Sequence, residues 1–300
     1  MILVTGSNGF IGKHIVRALE DRGETVATCD YENADIAPEF IFSFLEQANK
    51  AITAVVHTGA ISSTTETDVA KIKNVNIDLT FSLNQWCAGS GVQFIYASSA
   101  ATYGKGMVGF SDIQDEDYQK LLKPLNLYGR SKLLADRKVA RYRKSLGDSG
   151  PQWVGLKFFN VYGEGEDHKG SMRSLVTKIR DSVSKKKTIK LFGGNAITAS
   201  RDFVYVGDCV KVVLWFLDNQ EKSGIFNVGT GVSRTFIDMA ELALTALGER
   251  VKLELVPMPE VLVDKYQFFT RAELYKLRNA GYEEDFVSLE EGIAKYLRSE

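Results

Sequence analysis

Residues 5–12 read TGSNGFIG, directly after an apolar opening run and directly before an amphipathic stretch. Gly6, Gly9 and Gly12 give GxxGxxG, a spacing variant of the dinucleotide fingerprint. One glycine permits the tight turn, one lets backbone approach a pyrophosphate, and one lets helix and strand pack closely. A helix opening there offers N–H donors and the positive end of its dipole to phosphate. Three glycines alone would also suit an ordinary turn. The strand before them and the helix after them supply the weight. Asp30 lies eighteen residues beyond Gly12, at the end of the second apolar run, where an acid accepts from a ribose hydroxyl. An aspartate there disfavours a 2′-phosphate, and no lysine or arginine follows until Lys50, so the reading leans to NAD over NADP. The plainer alternative for Asp30 is a strand-end turn residue.

Working outward, MILVTG, ETVATCD, AITAVVHTGA, VQFIYASS and WVGLKFFNVYG read as buried strands. They alternate with helices expected near 10–22, 39–48, 69–88 and 126–146. That order predicts an α/β fold of the Rossmann type, a doubly wound parallel sheet with its ligand-binding loops along one edge. Past residue 164 the pattern loosens into a helix near 171–186, IKLFGGN, RDFVYVGD, a helix near 208–218, GIFNVGTG, TFIDMAELALTALG and VKLELVP. Two helices close the chain, the first opened by a capping box from Thr270 to Glu273, the second supplied by SLEEGIAKYL. We expect a dinucleotide-binding domain from 1–163 plus 203–228. A smaller mixed α/β substrate-binding domain is expected from 164–202 plus 229–300.

Thirty-seven basic residues against thirty-eight acidic ones give no excess charge that would advertise nucleic acid. SKKK at 184–187 reads as the solvent-facing end of a helix. No apolar run reaches membrane-spanning length and no secretory leader is evident, so a cytoplasmic protein without a membrane partner is expected. Cys29, Cys87 and Cys209 are odd in number, widely spaced and in apolar contexts, which suits reduced core thiols. With only His14, His57 and His168 besides, no metal centre is expected.

YASSAATYG at 96–104 ends a strand, and PLNLYGRSK opens a helix carrying Tyr128 and Lys132. Positions i and i+4 put phenol and ammonium on one face. A free tyrosine, with a pKa of about 10, is a poor base at neutral pH. A neighbouring lysine and an oxidised nicotinamide, both positive, favour the phenolate. Ser99, or its neighbour Ser98, can donate to a substrate oxygen as charge changes there.

TGSNGFIG, SSAATYG, YGRSK, FFNVYG, RDFVYVGD and FNVGTG together resemble the extended short-chain dehydrogenase/reductase family of nucleotide-sugar enzymes, over nearly the whole chain. The resemblance implies a Rossmann domain, a nucleotide-sugar-binding domain and a nicotinamide cofactor, NAD or NADP. Tyr128 becomes the catalytic group, Lys132 its helper and Ser99 the polariser. It places Phe10, Ile11, Tyr31, Thr58, Gly59, Ala60, Asn76 and Val161 with the glycines and Asp30 around the cofactor.

A sugar carbon bearing only H, OH and carbon has no acidic proton, so inverting it needs hydride removal and return to the opposite face. At an exocyclic carbon, rotation about one bond presents that face. The oxygen then swings away from the tyrosine, and a second acid/base becomes useful. FNVYGEGEDHKGSM, TGAISSTTETD and YQFFT are similar to the ADP-heptose 6-epimerase branch of the family. There the HKGSM lysine is the second proton carrier, which implies that role for Lys169. The same resemblance puts Ser62, Asn160, Ser171, Lys178, Phe192, Gly193, Arg201 and Tyr266 on substrate-contacting positions. Arg201 offers a fork matched to diphosphate oxygens. To act as a base Lys169 needs a depressed pKa, and Glu166 and Asp167 oppose that unless they point away.

The sequence departs from that branch in three places. The segment after Asp30 is short and lacks the lysines that hold an NADP phosphate. Lys178 stands where a substrate-contacting histidine is expected, and LFGGNAITASRD is one residue longer. The expected activity is inversion of C6″ of an ADP-heptose-like nucleotide sugar. A UDP-sugar 4-epimerase is the main alternative, and a dinucleotide sensor without turnover a lesser one. Ala100-Ala101 stand where a 4,6-dehydratase would carry Asp-Glu. Apolar faces on the helices near 69–88 and 126–146 suggest a homo-oligomer.

Overall fold

Valine- and isoleucine-rich runs, buried on both sides, form the strands that fix this architecture. The structure, a computed structural model, describes residues 1–30, 37–48, 51–147, 150–185, 187–194, 197–249, 251–264 and 266–298. The first half contains β1 (Ile2–Thr5), α1 (Phe10–Asp21), β2 (Val26–Cys29), α2 (Ala37–Ala48), β3 (Ala54–His57), α3 (Val69–Ile72), α4 (Thr80–Ser90) and β4 (Gln93–Ser99). Then come α5 (Glu116–Leu121), α6 (Leu127–Leu146), β5 (Trp153–Phe158), β6 (Asn160–Tyr162), α7 (Leu175–Ser184), β7 (Ile189–Phe192) and β8 (Ser200–Tyr205). The chain ends with α8 (Val206–Asp218), β9 (Gly224–Val228), β10 (Ser233–Thr235), α9 (Phe236–Ala246), β11 (Leu253–Val256), α10 (Glu260–Val263), α11 (Tyr275–Ala280) and α12 (Leu289–Arg298).

Six parallel strands in the order β2-β1-β3-β4-β5-β9 form the main sheet. Ile15 and Leu19 of α1 join Val212, Val213 and Phe216 of α8 in one core layer. Ile41 and Leu45 of α2 join Leu83 of α4 and Val139 of α6 in another. Helices cover both faces, as the βαβ pattern predicts. The chain changes its direction of growth between β1 and β3, so their carboxyl ends flank the crevice where such sheets take ligands. The later elements make two small sheets, β10-β8-β6 and β11-β7, packed with α7, α9 and α12 around Tyr162, Phe203 and Ile293.

Two expectations need correction. The stretch near 69–88 is no uniform α-helix, because Lys73–Leu79 between α3 and α4 is a π-helix that carries Asn76. Thr270 caps no helix: its hydroxyl accepts from Asp202 N at 3.1 Å, and α11 begins only at Tyr275 without a side-chain cap. Local spacing suggested the cap, and a tertiary bond took the hydroxyl. All three cysteines are buried free thiols.

Candidate active site

The nucleotide crevice is built from absent side chains. Gly6 has φ +70°, and a Cβ there would lie 2.4 Å from Gly59 N. At Gly12 a Cβ would meet Gly6 O at 2.0 Å, and at Gly9 the same oxygen at 3.0 Å. Thr58 Oγ1 donates to Thr5 O at 2.9 Å, tying the β3 loop to the glycine turn. Gly9 caps α1 without a side-chain bond, so the helix N-terminus keeps donors for an incoming pyrophosphate. Phe10 is buried, while Ile11 and Val161 are half-buried against the core that contains Ile15 and Leu19. Ala60 follows in the β3 loop. Asp30 accepts through Oδ2 from Ser7 Oγ and from Asn8 N at 2.9 Å, which fastens the carboxylate to the glycine loop. These features fit a dinucleotide. Tyr31 lies outside the described residues.

Asn76 is fully buried, and its amide is committed within the protein. Oδ1 accepts from Ile61 N at 2.8 Å, while Nδ2 donates to Ile61 O and to Ser131 Oγ, each at 3.0 Å. These bonds pin the β3 loop against α6.

At the end of β4, Ser99 Oγ accepts from Ala101 N at 3.1 Å, and its side chain acts on the Tyr128 hydroxyl, lowering its pKa. Gly129 lets α6 start there, since a Cβ would lie 2.7 Å from Ala101 O, and Asn126 caps the helix by accepting from Gly129 N at 2.8 Å. Loss of water raises the Tyr128 pKa, and Ser99 works against that. Lys132 is buried, donates to Ala97 O at 2.7 Å, and is pushed down to about 8 by burial against the pull of Asp136. Its ammonium braces the strand, and no hydrogen bond joins it to the Tyr128 hydroxyl among the described residues. The phenolate needs a further positive charge, such as an oxidised nicotinamide brings.

Lys169 is brought to α1. Its ammonium sits 3.7 Å from the centroid of the Phe10 ring and donates to Glu166 Oε1 at 2.7 Å. Glu166 points inward, contrary to what a free base at 169 would want, and also accepts from Thr177 Oγ1 at 3.0 Å. Asp167 points out. Burial lowers the Lys169 pKa, Glu166 opposes the shift, and nearby Lys13 adds to it. Lys13 donates to Gly165 O at 2.6 Å, and His14 Nε2 meets Glu164 O at 2.9 Å, so α1 holds this loop at three points. Sequence reading missed Lys13 and His14. Their only signal was to follow the fingerprint on its helix. No hydrogen bond joins Lys169 to Tyr128 or Ser99 among the described residues.

In the later half, buried Arg201 lies 5.0 Å over the Tyr266 ring, and Tyr266 meets Phe192 edge-on at 6.2 Å. This cationic and aromatic cluster suits a base and a diphosphate. Gly193 N is bonded to Val256 O at 2.9 Å, and Asn160 is half-buried on β6. Ser62 and Lys178 are exposed, and Lys178 lies within the field of Arg173 and Glu166. The Ser171 side chain lies outside the described set. A cleft of about 550 Å³ opens at the opposite, amino-terminal edge of the sheet beside Trp153 and Arg141. None of the residues above lines it.

This fold and crevice define a dinucleotide-binding α/β enzyme of the extended short-chain dehydrogenase/reductase type. The chain belongs to the NAD dependent epimerase/dehydratase family, whose profile matches residues 2–229. It is similar to the Helicobacter pylori ADP-L-glycero-D-manno-heptose-6-epimerase, with 25% identity, 99% of this chain and 95% of that one covered, and a TM-score of 0.80. MoeE5 in complex with UDP-glucose and NAD has 25% identity, 99% and 97% coverage and a TM-score of 0.80. Thermus thermophilus UDP-glucose 4-epimerase with NAD, at 24% identity, 99% and 97% coverage and a TM-score of 0.79, shares the fold. No helix among the described residues is long and apolar enough to cross a membrane.

Proposed function

We propose that this protein is a cytoplasmic epimerase that inverts the exocyclic C6″ of an ADP-heptose-like nucleotide sugar with a retained nicotinamide dinucleotide, and that it works as a homo-oligomer. The observation that carries the reading is the position of Lys169: largely covered, over Phe10, at the mouth of the cofactor cradle. The bound dinucleotide supplies first a hydride acceptor and then a hydride donor, so none is consumed. Tyr128 takes the hydroxyl proton of one epimer while Ser99 steadies the oxygen. Rotation about the exocyclic bond turns the carbonyl over, and Lys169 returns a proton to the oxygen on the other side. Paired with Glu166, Lys169 is the ammonium, the form that step needs. The reverse direction needs the amine, towards which burial and Lys13 push it. Asp30, held by the glycine loop, supports NAD over NADP. Arg201 and Tyr266 would hold diphosphate and base.

A UDP-sugar 4-epimerase is the second reading. It is favoured by the Lys169–Glu166 ion pair, which a purely structural lysine would also make. The test is incubation with a panel of ADP-, GDP- and UDP-sugars in D₂O, read by product stereochemistry. Inversion at C6″ without deuterium entering carbon is expected, and deuterium wash-in there would overturn the hydride route. Lys169→Ala should cut turnover by about 10²-fold or more with little change in nucleotide-sugar affinity. Full turnover in that variant, with inversion at C4″, would establish the second reading.

A further inference from the structure

Behind the Tyr128–Lys132 face of α6, the seam between helix and sheet is polar although the layers around it are apolar. Asp136, one turn past Lys132, is fully buried. It accepts from Tyr96 Oη at 3.0 Å and Ser98 Oγ at 2.8 Å, and pairs with Lys157 Nζ at 3.3 Å. Lys157 faces Ser98 in the β4–β5 register and donates to Thr102 Oγ1 at 2.8 Å, and that hydroxyl donates to Ser99 O at 2.8 Å. Tyr96, Ala97 and Ser98, consecutive on β4, are thus tied to two side chains one turn apart on α6. The next residue, Ser99, is the one whose side chain acts on the Tyr128 hydroxyl. Gly155 completes the seam. It faces Tyr96 in the register, and a Cβ there would lie 2.5 Å from Tyr96 Oη, so β5 carries no side chain where the phenol crosses.

A buried ion pair is weak support for stability, since apolar residues of similar volume often serve as well. They cannot hold direction or charge. Asp136 is the counter-charge for two buried ammoniums, Lys132 on its own helix and Lys157 on β5. His57 on β3, Tyr128 and Arg143 on α6, Tyr103 with its ring centroid 4.6 Å from Lys157 Nζ, and Asp112 and Lys276 beside Lys157 are further titratable groups whose fields reach this seam. We infer that Asp136, with Lys157 and Gly155, is a positioning device: it locks the end of β4 to α6 so that Ser99 meets Tyr128, and it keeps the charge on Lys132. The inference rests on Tyr128 and Lys132 being the reacting pair and is independent of which sugar is bound.

The test uses NAD-loaded full-length protein labelled with ¹³Cε-lysine, the Lys132 resonance being assigned through Lys132→Met. In Asp136→Asn the Lys132 titration midpoint should fall by about one pH unit or more. Amide exchange across residues 96–103 should quicken about tenfold while β1 and α12 stay unchanged. Lys157→Met, which leaves Asp136 to Lys132 alone, should raise the midpoint. If Asp136→Asn does not fold, Asp136→Glu keeps the charge on a longer arm, and should hold the midpoint near wild type while still loosening 96–103. Wild-type midpoints and exchange in the folded Asp136 and Lys157 variants, or in the double variant Asp136→Asn/Lys157→Met, would reduce the pair to packing and overturn the inference. A failure of the catalytic reading would show separately, as turnover retained in Tyr128→Phe.

Discussion

His57 and Lys132 are basic groups that burial makes harder to charge, and each makes folding depend on pH. His57, between Thr5 Oγ1 at 2.6 Å and Thr80 Oγ1 at 3.1 Å, is pushed down to about 3. The unfolded chain binds its proton first, so His57 costs no stability above pH about 6.5 and an increasing amount as pH falls towards 3. His57→Asn should therefore flatten the loss of urea midpoint between pH 7 and pH 5, and an unchanged slope would count against a neutral His57. Lys132, at about 8 folded against 10.5 free, works the same way at alkaline pH, penalising the fold below 8 and relieving it between 8 and 10.5. After losing its bond to Ala97 O, Lys132→Met should still stabilise cofactor-free protein by about 1–3 kcal/mol at neutral pH. That advantage should shrink as pH rises past 8 in thermal melts. Turnover would be lost, so stability and activity part company at this residue. Spacing makes Tyr128 and Lys132 legible in the sequence, because i and i+4 fix a shared face in any helix. It cannot say that Glu166 turns in to Lys169 while Asp167 turns out, since neighbouring acids look alike until the loop is folded.

At the scale of elements, the glycine turn after β1 was readable because its function is written as missing side chains in a fixed rhythm. The strand–helix alternation was readable for a similar reason: buried parallel strands are apolar on both faces. The π-helix at Lys73–Leu79 was not, because its apolar spacing passes for α-helix and only the demand to bury Asn76 between Ile61 and Ser131 reveals the extra residue. The seam around Asp136 was illegible too, since one acid in a lysine- and arginine-rich helix reads as a solvated charge. The glycine reading can be tested by a matched pair. Gly6 and Gly23 both have positive φ, +70° and +75°, but a Cβ at Gly6 meets Gly59 N at 2.4 Å, whereas at Gly23 nothing lies within 4 Å. Gly23→Ala should cost about 1 kcal/mol of backbone strain and leave NAD binding intact. Gly6→Ala adds a backbone clash and should cost about 3 kcal/mol or more, with NAD affinity falling steeply. Equal denaturation midpoints and equal NAD titrations for the two variants would mean that the crevice is not where the glycines place it.

For the whole molecule, the connection that matters runs between the cofactor helix and the loop leading into the smaller sheets. Phe10, Lys13 and His14 on α1 hold residues 164–169, and Tyr205 at the end of β8 holds the same loop by donating to Glu164 Oε1 at 2.7 Å. Glu166 then ties it to Thr177 on α7, which meets Tyr296 of α12 at 3.0 Å. One path of direct contacts thus leads from the pyrophosphate end of α1 to the last helix. If Lys169 transfers a proton as proposed, its loop must be registered against the carbon that gives up hydride, whose place the cofactor would set. Docking the loop on the helix of the glycine fingerprint would achieve this registration, where docking on the smaller sheets alone would let it drift with them. Lys13→Met with His14→Ala removes two of the three α1 contacts without touching the glycines, so NAD affinity should change by no more than about threefold. Amide exchange of residues 163–172 should quicken about tenfold, and added NAD should slow it far less than in wild-type protein. If NAD protects that loop equally in both proteins, the registration passes through another route and α1 is only its neighbour.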